Sequence, residues 1–155
     1  MTTAIAPNPR PTLYTKTINA ATTGSTTAAP IPGLEYGFSD GWGPSFVSLC
    51  VPYLYLKGGA GDPNVGVIVS LMYSSPEYPN GTTLVSGGFT NVAQGMGRLP
   101  ITLTASVPEL PAGARGYQIY AEWAVVGQGV TAVIDSTASL TVKIGRASCR
   151  ERVWR

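Results

Sequence analysis

The chain contains no histidine. Without imidazole it can build neither a Ser-His-Asp triad nor a His-ligated zinc site, and no side chain titrates near neutral pH at its unperturbed value. Charge is scarce as well: 12% of the residues are Asp, Glu, Lys or Arg, about half the share usual in a globular domain. Two cysteines, Cys50 and Cys149, are too few for a disulfide framework. No apolar run reaches the ~20 residues of a membrane-spanning helix. No segment combines helical apolar spacing with caps. What is present is 44% apolar residues, with 19 Gly, 13 Pro and 8 Tyr among 155. That is one domain's length, enough to bury roughly 70% of the surface exposed by the unfolded chain.

The last twelve residues, Ile144 to Arg155 (IGRASCRERVWR), are unlike the rest. They hold four of the ten cations (Arg146, Arg150, Arg152, Arg155), together with Glu151 and Cys149, and have no strand alternation. Ile144 to Val153 resembles a translated sequencing adapter over ten consecutive residues. Residues 144–155 therefore read as an adapter-derived, non-native tail, and the natural C-terminus is expected elsewhere. Setting the tail aside turns the formal charge from +2 to −1. Taken literally, the tail would be a basic arm for nucleic acid or an acidic surface. The six other cations (Arg10, Lys16, Lys57, Arg98, Arg115, Lys143) are scattered singly, so no nucleic-acid partner is expected. Cys50, among Val47, Leu49 and Val51, reads as a small buried hydrophobe; a catalytic thiolate would lack a His to activate it.

Residues 1–33 read as an extended arm and loop. Pro7, Pro9 and Pro11 stretch the start, where no signal peptide is visible, and one strand is expected near Leu13 to Ile18. Residues 19–33, small and polar and closing on Pro30-Ile31-Pro32-Gly33, read as a linker or long loop. From Leu34 to Lys143 period-two alternation dominates. Leu34, Tyr36 and Phe38 share one face, and Val65, Val67, Val69, Leu71 and Tyr73 another. Ile101, Leu103, Ala105 and Val107 form a third set, and Tyr117, Ile119, Ala121, Trp123 and Val125 a fourth. The long strand Ser45 to Leu56 is interrupted by Pro52, which predicts an edge or a bulge. Pro76 to Gly81 reads as a loop with Asn80-Gly81 as its turn pair, and Thr82 to Ser86 and Gly88 to Ala93 as two short strands. Eight to ten strands at turn-signalled intervals predict an all-β antiparallel sandwich over residues 34–143.

Within that span, Leu99 to Lys143 carries an alternating strand (Ile101 to Val107), then Leu110-Pro111-Ala112-Gly113, then Tyr117 to Val125 with Trp123. The Gly127 to Gly129 turn, Thr131-Ala132 and Ser139-Leu140-Thr141-Val142 follow. This order resembles the jelly-roll domains of tailed-phage virion proteins, within the tumour-necrosis-factor-like group of trimeric β-sandwiches. The resemblance covers about 45 residues; the earlier half agrees only in strand rhythm. It implies a jelly-roll-like fold and a virion location. It further implies a non-enzymatic fibre, tail or capsid-decoration module whose partners are its own copies, as a homotrimer, and other virion proteins. Leu110 and Gly113 would anchor the corner between sheets, with Tyr117 and Trp123 in the core.

Other features are weighed against this reading. Glu35, Asp40, Asp62, Glu77, Glu109, Glu122 and Asp135 are dispersed. A glycosidase would need two carboxylates ~5–10 Å apart; folding could join Glu35 and Glu122, but solvated surface is the simpler expectation. Asp62 with Asn64 is the nearest approach to a calcium loop and reads better as a turn. No catalytic, metal or cofactor residue is assigned, and no enzyme is expected. Trp42, between Gly41 and Gly43, and Tyr78, between Glu77 and Pro79, are loop aromatics able to stack on sugar rings or fill a subunit contact. They support an alternative, a carbohydrate-binding β-sandwich module, secreted or at the cell surface, with a host-surface glycan as partner. Asn80-Gly81-Thr82 matches the glycosylation tripeptide but, with no signal peptide visible, reads better as a turn. The neutral outward faces (Thr102, Thr104, Ser106, Gln118, Tyr120), and sheet edges without charged protection, predict self-association.

Overall fold

The structure, a computed structural model, describes residues 12–38, 44–58, 65–75, 78–89, 99–107 and 117–144. Every regular element among them is a strand: β1 Thr12–Ile18, β2 Ala21–Thr23, β3 Ala29–Phe38, β4 Pro44–Gly58, β5 Gly66–Ser75, β6 Tyr78–Phe89, β7 Leu99–Ser106, β8 Tyr117–Val126, β9 Val130–Ile134 and β10 Ala138–Ile144. Alternation explains this outcome. With apolar side chains at every second position, an extended chain turns one face inward and leaves the other for hydroxyls and amides.

The strands form two antiparallel sheets. In the first, β1 pairs with β10 and β2 with β9, while β10 and β9 follow one another along the same edge of β4. The opposite edge of β4 carries β7. The second sheet runs β3-β8-β5-β6. Because β1 and β2 share one path, and β9 and β10 another, the chain has eight paths in all. The first sheet orders them first, eighth, third, sixth, and the second orders them second, seventh, fourth, fifth. That order is the double Greek key of a jelly roll. The antiparallel sandwich expected from the alternation is therefore the fold of the protein.

A crease crosses the first sheet. β4 shifts register between Val51 and Leu54, around Pro52, and the shift brings Leu99 opposite Leu54, one position off the register that pairs Val51 with Ile101. At this level β9 gives way to β10, and β1 to β2. Proline has no N–H to donate to the ladder, so Pro52 in a central strand requires the irregularity that its sequence predicts. Thr137 Oγ1 donates to Asn19 Oδ1 at 2.9 Å across the two breaks.

The core lies between the sheets. Val47, Leu49, Val51 and Leu54 of β4 and Leu140 and Val142 of β10 meet Val67, Val69 and Leu71 of β5 and Ile119, Ala121, Trp123 and Val125 of β8. Trp123 is 2% exposed and is the largest of the fully enclosed side chains. Fully burying one Val, Leu or Ile stabilises by roughly 1.5–3 kcal/mol, so these inward rows hold the two layers together.

Five expectations are corrected. The stretch 19–33 is not a continuous loop: it holds β2 and the first half of β3, whose Ile31 is 1% exposed within the core. Small polar residues conceal it because β2 has only three residues and β3 is irregular between Pro30 and Glu35. The two short strands expected near Thr82 and Gly88 are one strand, β6, which also takes in Tyr78 to Gly81. Ser75 pairs with Tyr78, so Asn80-Gly81 is not the hairpin turn; Gly81 (φ 85°) serves a register irregularity inside the strand. β10 extends through Ile144, one residue into the adapter-like segment. Cys50 alternates out of phase with Val47, Leu49 and Val51, so it points out of the sandwich, half-buried and unbonded to another cysteine.

Candidate interaction surfaces

Trp42, Leu110 and Gly113 lie outside the described residues. Tyr78 is the first residue of β6 rather than a loop residue, and Tyr117 is the first of β8; their side chains also lie outside the described parts. Trp123 is the core anchor that the sequence suggests. Among the described residues no three of Cys, Asp and Glu gather as metal ligands, and no helix is long and apolar enough to cross a membrane. Among the described residues, the surfaces open to a partner are the outer faces and edges of the two sheets.

The outer face of the first sheet is a ranked array. Strand pairing places Leu13, Lys143, Phe46 and Ser106 in one row and Thr15, Thr141, Ser48 and Thr104 in the next. A third row holds Thr17, Ser139, Cys50 and Thr102. Thr15 and Thr141 share a hydroxyl hydrogen bond of 3.0 Å, and Ser45 Oγ donates to the Lys143 carbonyl at 3.3 Å. Leu13 is 65% exposed and Phe46 39%, and Tyr53, inside the crease between Val51 and Leu54, is 51% exposed. An open groove of about 380 Å³ runs between Leu13 and Phe46 over Ser45, Ser48, Thr141 and Lys143. One ammonium among these twelve positions leaves the three rows almost without charge, while Lys57 of β4 stands exposed beyond the crease. The sequence reading found the Thr and Ser of β7 here but missed Leu13, Phe46 and Tyr53. No pattern within a single strand brings them together.

The second sheet's outer face is different. Glu35, Tyr120, Met72 and Thr83 form one row, and Pro30, Glu122, Ser70 and Ser86 another. Glu35 and Glu122 thus share a face as diagonal neighbours across β3 and β8, a relation that puts α-carbons ~7–8 Å apart. Gln118 Nε2 donates to Glu35 Oε2 at 3.0 Å, the Ser70 and Ser86 hydroxyls bond at 2.7 Å, and the Thr83 hydroxyl donates to Met72 Sδ at 3.3 Å. Burial, and then the neighbouring Glu122 carboxylate, push the Tyr120 phenol above its ordinary value. Both carboxylates thus belong to a polar, hydrogen-bonded sheet surface.

The edges carry protection that the sequence reading did not credit to them. On β1, Lys16 points inward, its Nζ 5.1 Å from the centre of the Tyr36 ring of β3, a cation–π contact at the mouth between the sheets. The Tyr14 and Tyr36 rings meet there at 6.2 Å, and burial followed by Tyr14 raises the Tyr36 phenol. An inward charge on an edge strand opposes the docking of another strand. β3 carries Pro30 and Pro32, β7 Pro100, and β6 Pro79 together with register irregularities. Each lacks a ladder donor or bends its edge.

No protein-family model matches the sequence, and no curated protein matches it. Solved structures similar to the chain include one described as concerning the promiscuous specificity of carbohydrate-binding modules of the β-sandwich superfamily. It is 12% identical over 86% of this chain and 57% of its own, with a TM-score of 0.40. A chain of the T13 IBDV viral particle is 12% identical over 92% of this chain and 41% of its own, with a TM-score of 0.38. A chain of Desmodium yellow mottle tymovirus is 6% identical over 92% of this chain and 94% of its own, with a TM-score of 0.28. The chain thus spans about half the length of the first two.

Proposed function

We propose that the protein is a non-enzymatic structural module of a phage or viral particle, a fibre, tail or capsid-decoration jelly roll that self-associates as a homotrimer and contacts other virion proteins. The observation that carries this reading is the outer face of the first sheet, where exposed Leu13 and Phe46 stand among neutral hydroxyls, with Tyr53 exposed at the crease. Interfaces are marked by depletion of charge and enrichment of aromatics more than by overall apolarity. The virion assignment is supported by the jelly-roll path order and by the Leu99 to Lys143 resemblance. Light scattering coupled to size exclusion tests the assembly. Three times the 16.1 kDa chain mass is expected; a single-chain mass at all concentrations overturns the reading.

A second reading has its own observation. Glu35, Gln118, Tyr120 and Glu122 offer planar polar groups beside an aromatic ring on one open face. That is the chemistry of a glycan-binding surface, and the sequence's own candidates for stacking on sugar are Trp42 and Tyr78. A single-chain mass combined with retardation on polysaccharide would favour this second function. Trp42→Ala would then abolish retention without altering the mass.

A further inference from the structure

Self-association could use an edge, the outer face of the second sheet or the outer face of the first. The edges are blunted by inward Lys16, by Pro30, Pro32, Pro79 and Pro100, and by bulges. The second sheet's outer face carries Glu35 and Glu122 without a cation in their rows. In a trimer with this face turned to the threefold axis, the carboxylates of the copies would converge, and juxtaposed like charges are disfavoured at an interface. Of the five large side chains that stand exposed among the described residues, Leu13 and Phe46 lie on the first sheet's outer face and Tyr53 at its crease; Ile68 lies on the other.

We infer that copies of this chain meet through the outer face of the β1–β10–β4–β7 sheet, with the row Leu13, Lys143, Phe46, Ser106 at the contact. This rests on the self-association proposed above and names the surface that performs it. The area suffices. A strand residue covers about 16 Å² (~3.3 Å of rise by ~4.8 Å of spacing), so β1, β10, β4 and β7 present a planar patch of about 600 Å². Side-chain relief adds to that figure, and a standard interface buries about 800 Å² on each partner. Chemistry agrees with size. The hydroxyls of Thr15 and Thr141 bond to one another, so one of their two donors is already satisfied when the face is covered. Phe46 and Leu13 gain from losing water, and Lys143 at the end of β10 can keep its ammonium at the rim.

Cys50 lies in the third row of this face and is a native probe of it. In a Cys149→Ser background, which leaves one thiol, Cys50 is expected to react with a maleimide more slowly as protein concentration rises through the association range. Ser48→Glu, which places a carboxylate in the middle row without touching the core, should reduce the mass to 16.1 kDa with the circular dichroism of the parent. Ile68→Glu, on the opposite face, should leave the parental mass. If the parent is multimeric while Ser48→Glu keeps its mass and Cys50 labels at a concentration-independent rate, this surface is the wrong one, though self-association stands. If the parent is monomeric throughout, both proposals fall. If Ser48→Glu does not fold, the Cys50 labelling rate alone decides.

Discussion

Trp123 faces inward from β8 with Ala29 of β3 and Val69 of β5 as its cross-strand partners, filling the space between the sheets. Trp123→Ala would leave a cavity that two sheets held by many other contacts cannot collapse to fill. A loss of about 3–5 kcal/mol is expected, read as a lower urea midpoint with an unchanged m-value. Tyr120 shows a different effect. Its phenol is held above the ordinary value of 10.0, first by burial and then by Glu122. As pH rises past 10, the unfolded phenol releases its proton while the folded one retains it. The folded state then binds more protons, so stability falls with rising pH above about 10 and is unaffected by this group below it. Thermal melts at pH 9 and 11 should show that drop. Tyr120→Phe should make it smaller, with the remainder expected from Tyr36, raised by burial and by Tyr14.

At the scale of the strand, irregular positions matter as much as regular ones. Gly88 in β6 sits at φ 146°, and an added Cβ there would run into the backbone of Val67 and Ile68 on β5. Backbone cannot move aside as the end of a side chain can. Gly88→Ala is therefore expected to lower the melting temperature and to raise hydrogen exchange along the β5–β6 ladder ahead of the β5–β8 ladder. Pro52 reads similarly from both directions: its missing donor predicts a bulge, and β4 has one between Val51 and Leu54. By contrast, the 19–33 stretch hid two strands. β2 and the start of β3 are held by pairing with β9 and β8, and this pairing outweighs the turn propensity of Pro32-Gly33.

For the whole molecule, the composition and the faces make one prediction together. If assembly uses a surface whose three rows hold a single charge, Lys143, it should resist salt, because screening acts only on charged partners. Sedimentation velocity at 0.1 M and 1 M NaCl (~10 Å and ~3 Å Debye lengths) should give the same distribution of species. Dissociation at the higher salt would point to an electrostatic contact on another surface.

The sequence alone determined the all-β class, the inward rows of β5, β7 and β8, the break at Pro52 and the burial of Trp123. Each follows from the two-residue period of an extended chain or from a missing N–H, and both are local properties. Only the tertiary structure decided that β1 and β2 form one path, that Leu13 and Phe46 share a row across β10, and that Glu35 and Glu122 share the opposite face. Those neighbours come from β-ladders between residues as far apart as Leu13 and Lys143. Register between distant strands is set by how all inward side chains pack at once, and no single segment of the chain encodes it.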